Sequence, residues 1–212
     1  NGEELLFISY KRGGPYPYRL NLASGKASRV YAKVGYGANW SPDGKMVAVN
    51  VEQRGNADLF LITPQGKLIR RLTNHAGIDV SPAWSPDGRR LAFCSDRSGS
   101  PQIYVMDVET GRSRRLTFRG RYNTDPAWSP KGDRLAYTAR SGGFRIMSIN
   151  LAGGEATEVG RGEHPSWSPD GRYLAVTRRG HIYMLSRDGR SIKQLTAGRG
   201  NDTSPSWSPR FR

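Results

Sequence analysis

One phrase organises this chain. Trp40-Ser41-Pro42-Asp43-Gly44 returns as Trp84-Ser85-Pro86-Asp87-Gly88, as Trp128-Ser129-Pro130-Lys131-Gly132 and as Trp167-Ser168-Pro169-Asp170-Gly171. A fifth copy is divided, with Trp207-Ser208-Pro209 at the C-terminal end and Asn1-Gly2 at the N-terminal end. Successive tryptophans lie 44, 44, 39 and 40 residues apart. A period near forty built from short strands specifies blades around an axis. The divided copy predicts that the two ends meet in one blade and lock a ring.

Each repeat holds four strand-like segments, clearest in the third. Ser81-Pro82-Ala83-Trp84 is followed by the turn Ser85-Pro86-Asp87-Gly88, where proline fixes φ and glycine accepts φ > 0. Arg90-Leu91-Ala92-Phe93-Cys94, Ile103-Tyr104-Val105-Met106 and Arg114-Arg115-Leu116-Thr117 come next. β-Branched and aromatic residues dominate, and no 3.6-residue period runs through them. The second and third segments are nearly all apolar, as sheets covered on both faces require. The fourth is basic, as suits an exposed edge. The first, rich in small residues, is expected to line a central channel. The prediction is an all-β, five-bladed β-propeller of four-stranded antiparallel blades in a single domain over 1–212. Repeats run about 1–37, 38–80, 81–124, 125–163 and 164–203, and 204–209 completes the first blade. Each tryptophan is expected to pack between blades, and each turn aspartate to accept bonds from its own turn amides.

Composition narrows the function classes. The 26 glycines and 13 prolines fall at turn positions, so they punctuate order rather than mark disorder. The single cysteine, Cys94, excludes an intramolecular disulfide and sits in an apolar run as a small hydrophobe. No run approaches the ~18 apolar residues of a membrane helix. No signal peptide is present, and the chain begins inside a repeat, so a leader or preceding domain is expected to have been removed. A net charge of +15 raises the question of an anionic partner. The basic residues spread over most sides of the disc, whereas a nucleic-acid site concentrates them in one stripe with stacking aromatics, so none is expected. The histidines His75, His164 and His181 lack metal-ligand spacing. No nucleophile elbow, catalytic Ser/His/Asp order or phosphate loop stands out. No catalytic residue, cofactor or metal is expected.

The residues Ser81-Pro82-Ala83-Trp84-Ser85-Pro86-Asp87-Gly88, Leu91-Ala92-Phe93, Ile103-Tyr104-Val105-Met106-Asp107 and Arg114-Arg115-Leu116-Thr117 form a pattern that resembles the TolB-type propeller family. The resemblance covers the whole chain, and Ser204-Pro205-Ser206-Trp207-Ser208-Pro209 is similar to the end of such proteins. It implies a periplasmic, non-enzymatic scaffold of the Tol-Pal system, binding a Pal-like lipoprotein through the propeller; a monomer is expected. Related repeats also occur beside prolyl-oligopeptidase-like enzymes. One alternative is therefore the gating propeller of such an enzyme without its catalytic domain. Family members carry six blades and a preceding α/β domain, whereas this chain encodes five blades alone. A truncated or engineered propeller with no remaining partner is the other alternative.

Loops entering the inner strand share one end of the ring with those between second and third strands. This upper face carries the longer, less uniform loops, where binding resides. Five segments lead into the inner strands: Gly35-Tyr36-Gly37, Asp79-Val80-Ser81, Asn123-Thr124-Asp125, Glu163-His164 and Asp202-Thr203-Ser204. They are expected to set Asp79, Asp125, Glu163 and Asp202 around the channel mouth. Such carboxylates suit a cation or, the reading favoured here, loop amides and nearby arginines. Tyr36, Arg119, Arg121, Tyr122, His164 and Arg199 complete the candidate partner-binding rim.

Overall fold

The computed structural model describes residues 2–11 and 13–208, and these form strands and turns with no helix. The first blade holds β1 (Glu4–Ser9), β2 (Tyr16–Asn21) and β3 (Ala27–Arg29). The second holds β4 (Ala38–Trp40), β5 (Val47–Gln53), β6 (Asn56–Ile62) and β7 (Leu68–Arg71). The third holds β8 (Asp79–Trp84), β9 (Arg90–Ser95), β10 (Gln102–Asp107) and β11 (Ser113–Arg115). The fourth holds β12 (Asn123–Trp128), β13 (Arg134–Arg140), β14 (Phe144–Asn150) and β15 (Thr157–Arg161). The fifth holds β16 (Glu163–Trp167), β17 (Tyr173–Arg178), β18 (His181–Ser186) and β19 (Ile192–Gln194). All pairings are antiparallel between consecutive strands, which makes a five-bladed β-propeller.

Burial follows the apolar pattern. The second strands of blades two to five bury Val47, Leu91, Leu135 and Leu174 completely, while the outer strands β3, β7 and β19 are exposed. Four clusters fill the four junctions between successive blades. The third junction, for example, joins Ala92, Ile103 and Val105 to Trp128, Leu135 and Tyr137. Trp40, Trp84, Trp128 and Trp167 lie in these junctions, and four indoles tie successive inner segments polarly. Trp84 Nε1 donates to the Asn39 carbonyl at 3.2 Å and Trp128 Nε1 to Ala83 at 3.0 Å. Trp167 Nε1 donates to Ala127 at 3.2 Å and Trp207 Nε1 to Ser166 at 3.0 Å. In each case the acceptor is the residue before the preceding repeat's tryptophan.

The Ser-Pro-Asp-Gly turns use their aspartates as expected. Asp43 Oδ1 accepts from the Lys45 amide at 3.1 Å, and Asp87 and Asp170 accept from Arg89 and Arg172 at 3.0 Å. The turn serine adds a hydroxyl bond, 2.6 Å from Ser41 to Asp43 and from Ser168 to Asp170. Where Lys131 replaces the aspartate, Asp133 takes over two residues later and accepts from Ser129 at 2.6 Å. Gly132 sits at φ +70° and presses against the previous blade, where an added Cβ would meet Pro86 Cγ at 3.3 Å.

These serine and amide donors hold the carboxyls of Asp43, Asp87, Asp133 and Asp170 below the ordinary aspartate value, with the serine hydroxyl the largest cause. An unfolded chain therefore binds more protons than the native one between the two values, so stability rises with pH across that window. Thermal midpoints measured from pH 6 to pH 2 are expected to stay level above about pH 5. They should then fall as the pH drops below about 4, toward the depressed native values. The double variant Asp87→Asn/Asp170→Asn should show a shallower slope. An equal slope in both proteins would assign the acid loss to another cause.

The first sheet departs from the others. It has three strands, and β1 has no backbone partner on its inner side among the described residues. Residues 204–208, expected to supply that partner, form no strand. They contact the fifth blade as the other inner segments contact the blade before them, through Trp207 and through the Ser204 amide, which donates to Thr177 Oγ1 at 3.1 Å. The expected closure by backbone pairing is thus not made between residues 204–208 and β1. Asn1 and Pro209, which belonged to that expectation, lie outside the described residues.

Candidate functional site: the channel mouth

The inner strands carry a repeated irregularity. Pairing shifts register between Val80 and Ala83, between Thr124 and Ala127, and between Glu163 and Ser166. Inside these bulges Ser81, Asp125 and His164 adopt φ values of +53°, +50° and +52°, and Ser204 adopts +54°. Each is followed by proline. A proline has no N–H to lose at an unpaired bulge position, which is why the bulge tolerates it. The left-handed backbone costs a non-glycine residue on the order of 1–2 kcal/mol. A bulge also re-aims the side chain it carries. Thr138 Oγ1 accepts the His164 amide at 3.1 Å, as Thr177 does for Ser204, so buried threonines fix these residues from behind.

The result is a shared mouth. Ser81, Asp125, His164 and Ser204 line one end of a cavity of about 280 Å³, with Gly37 and Asn39 from the second blade. Ser81 Oγ lies 3.4 Å from Asp125 Oδ1, and His164 Nε2 lies 3.9 Å from Asp125 Oδ2. The other imidazole nitrogen, His164 Nδ1, is buried without a partner, as is the whole side-chain amide of Asn50, whose oxygen sits beside Gly37. A neighbouring apolar shoulder is formed by Tyr122, edge-on to Phe144 at 6.4 Å, with Arg140 over the Phe144 ring. Burial pushes the Tyr122 hydroxyl above its ordinary pKa. The arrangement offers hydroxyls, one carboxylate and one imidazole to an inserted polar group. Among the described residues no group of three or more His, Cys, Asp or Glu is placed to hold a metal.

Of the residues expected at the rim, the structure brings Asp125 and His164 to the mouth. Asp79 is fully buried and gripped by Arg97 Nη2 at 2.9 and 2.8 Å. Asp202 stands 3.7 Å from His181 Nδ1, away from the cavity lining. Glu163 is half-buried one residue outside the lining. Tyr36 is exposed and donates to Glu52 Oε2 at 2.6 Å, a bond that raises its pKa. Arg119 pairs with Glu155 at 2.6 Å on the surface. Arg121, Tyr122 and Arg199 are exposed on surrounding loops. Ser81 and Ser204 were not anticipated. The signal for both was present: each precedes a proline in an inner strand, as Asp125 and His164 do. Cys94 is buried, and burial raises its thiol to about 12, which fits its expected packing role.

One three-stranded and four four-stranded sheets around a channel, with irregular residues turned into its mouth, define a β-propeller built of repeats. The TolB beta propeller domain family (PD40) matches residues 1–178, and the chain belongs to that family. A Tol-Pal system protein TolB from Anaeromyxobacter dehalogenans is 39% identical over 89 residues, spanning 39% of this chain and 19% of that protein. TolB from Acinetobacter baumannii superposes with a TM-score of 0.89 at 28% identity, covering 98% of this chain and 55% of that one. A TolB-like structure from Agrobacterium tumefaciens superposes at 0.81 with 25% identity, covering 98% of this chain and 82% of that one. The chain thus spans about half the length of the Acinetobacter protein and a smaller part of its curated relative.

Proposed function

We propose that this chain is a non-enzymatic docking scaffold of the Tol-Pal type, working in the periplasm and receiving a Pal-like lipoprotein at its channel mouth. The observation that carries this reading is the set of strained residues Ser81, Asp125, His164 and Ser204 converging on one opening. Left-handed backbone at non-glycine residues persists where the surrounding structure over-determines it, and it clusters at binding sites. Membership of the TolB propeller family supports a protein partner in preference to a small substrate. Exposed Arg121 and Arg199 give long-range attraction to an acidic partner.

Calorimetric titration with a purified Pal-like protein tests this. Asp125→Asn combined with His164→Ala is expected to weaken binding at least tenfold while leaving the thermal midpoint within a few degrees. Arg121→Glu and higher salt should slow association. Unchanged affinity in the double variant would remove the mouth from the interface, and unchanged association rates would reject the electrostatic steering.

A further inference from the structure

The upper end of the fourth blade differs from the same place in the other four-stranded blades. Register from the buried Leu135, which pairs with Ile149, puts Phe144 where those blades carry Ala57, Pro101 and Gly180. Phe144 is 38% exposed, an aromatic ring given to solvent. It meets Tyr122 edge-on at 6.4 Å, and Tyr122 is itself 36% exposed. Backbone bonds hold both residues on the sheet rather than on a free loop. The Arg140 amide donates to the Tyr122 carbonyl at 3.0 Å, and the Gly162 amide donates to the Phe144 carbonyl at 3.1 Å.

The same end carries positive charge without a counter-ion. Arg121 leads into β12, Arg140 ends β13 and Arg161 ends β15, and all three are exposed. None of them forms an ion pair among the described residues. Elsewhere such arginines are taken, Arg97 by Asp79 and Arg71 by Asp58. In the fourth blade the carboxylate of Glu158 goes to Arg145, at 2.8 Å. Arg145 is the register partner of Arg161, so two guanidinium-bearing residues stand side by side and share that one carboxylate's neighbourhood. Like charges opposed across a strand pair are unfavourable, and an anion from outside relieves them. Arg140 lies over the Phe144 ring at 5.8 Å, which ties the charge to the aromatic pair.

We propose that this platform of strand ends is a second docking site, which takes a short acidic segment of a protein partner. Carboxylates of that segment bind the guanidiniums of Arg140 and Arg161, and an aromatic residue between them packs on Phe144 and Tyr122. Guanidinium–carboxylate bonds are charge-assisted and often bidentate, and arginine and tyrosine are enriched in interface hot spots. Single-stranded nucleic acid would use the same groups, through stacking and phosphate contact. It fits less well. The four strand ends span about 14 Å, three inter-strand spacings, which four or five extended residues cover. The carboxylates of Asp125 and Glu163 add to the effect of burial in raising the Tyr122 pKa, so negative charge borders the platform and opposes a continuous phosphate chain.

The probe is the capped, unlabelled pentapeptide Glu-Asp-Phe-Asp-Glu, titrated into the full chain by calorimetry and followed by amide chemical shifts. One-to-one binding is expected, with shifts at Tyr122, Arg140, Phe144 and Arg161. Arg140→Gln/Arg161→Gln should weaken it at least tenfold, the loss of charged hydrogen bonds, while the thermal midpoint stays level. Phe144→Ser should weaken it about fivefold, as should alanine in place of the peptide's phenylalanine. Lys193→Glu, on the exposed outer strand β19, should leave it nearly unchanged, which separates the platform from the overall charge of +15. His164→Ala should also leave it unchanged, so the result is independent of the channel mouth. Absence of saturable binding overturns the proposal, as does equal weakening by Lys193→Glu and by Arg140→Gln/Arg161→Gln. A thymidylate pentamer bound more tightly than the peptide at the same salt would assign the platform to nucleic acid instead.

Discussion

Replacing Arg97 by methionine is expected to cost about 3–5 kcal/mol of unfolding free energy, the loss typical when one partner of a buried ion pair is removed. Asp79 is fully buried at the start of β8, and its carboxylate takes two bonds from the Arg97 guanidinium at 2.9 and 2.8 Å. The same guanidinium donates through Nε to Ser95 Oγ at 2.8 Å and stacks over Phe93 and Tyr104 at 5.3 and 5.0 Å. Methionine keeps much of the stem's packing but strands a charge out of water. The double variant Arg97→Met/Asp79→Leu should recover most of the loss, because removing both charges removes the desolvation penalty with them. Urea unfolding followed by circular dichroism measures both. A single variant losing less than about 1 kcal/mol would show that Asp79 finds another partner.

That pair also shows where reading the sequence stops. The turn phrase encodes the blades because each of its residues acts on its immediate neighbours. Proline sets φ, glycine supplies positive φ, and serine and aspartate hold the reversal. Such instructions survive substitution, since Asp133 replaces the aspartate lost at Lys131. The closing Leu-Thr pairs read simply as edge strand. In the structure the hydroxyls of Thr73, Thr117 and Thr196 each accept a third-strand amide, from Leu59, Ile103 and Ile182, at 2.9 Å.

The channel rim was harder to read, because a carboxylate's role depends on which cation reaches it. Asp79 stands five residues before Trp84 and is buried by Arg97, whereas Asp125 stands three before Trp128, on the bulge that turns it toward the mouth. Proline was the better guide, marking the positions where the inner strand bulges. Failure of β1 to meet residues 204–208 had no local signal at all.

The inter-blade junctions lead to the other large effect. Trp128→Ala is expected to destabilise by about 3–5 kcal/mol, the range for truncating a buried tryptophan. The side chain is 8% exposed, sits among Ala92, Val105 and Leu135, carries Arg90 over its ring at 4.8 Å, and donates to Ala83 at 3.0 Å. Trp128→Phe keeps most of the packing and loses the donor, so it should cost less, about 1–2 kcal/mol. The position adds a qualitative signature. Trp128 lies in the junction between the third and fourth blades, with two or more blades on either side. Repeat architectures draw stability from each unit and from the interface it shares with its neighbour. Since residues 204–208 do not pair with β1, strand pairing does not carry the load around the other way. Weakening this junction should therefore uncouple the halves, and the alanine variant's urea transition should broaden or divide, with a lower apparent m-value. A transition that shifts to lower urea at full steepness would show instead that the five blades unfold as one unit, held together by contacts across the seam between the first blade and the fifth.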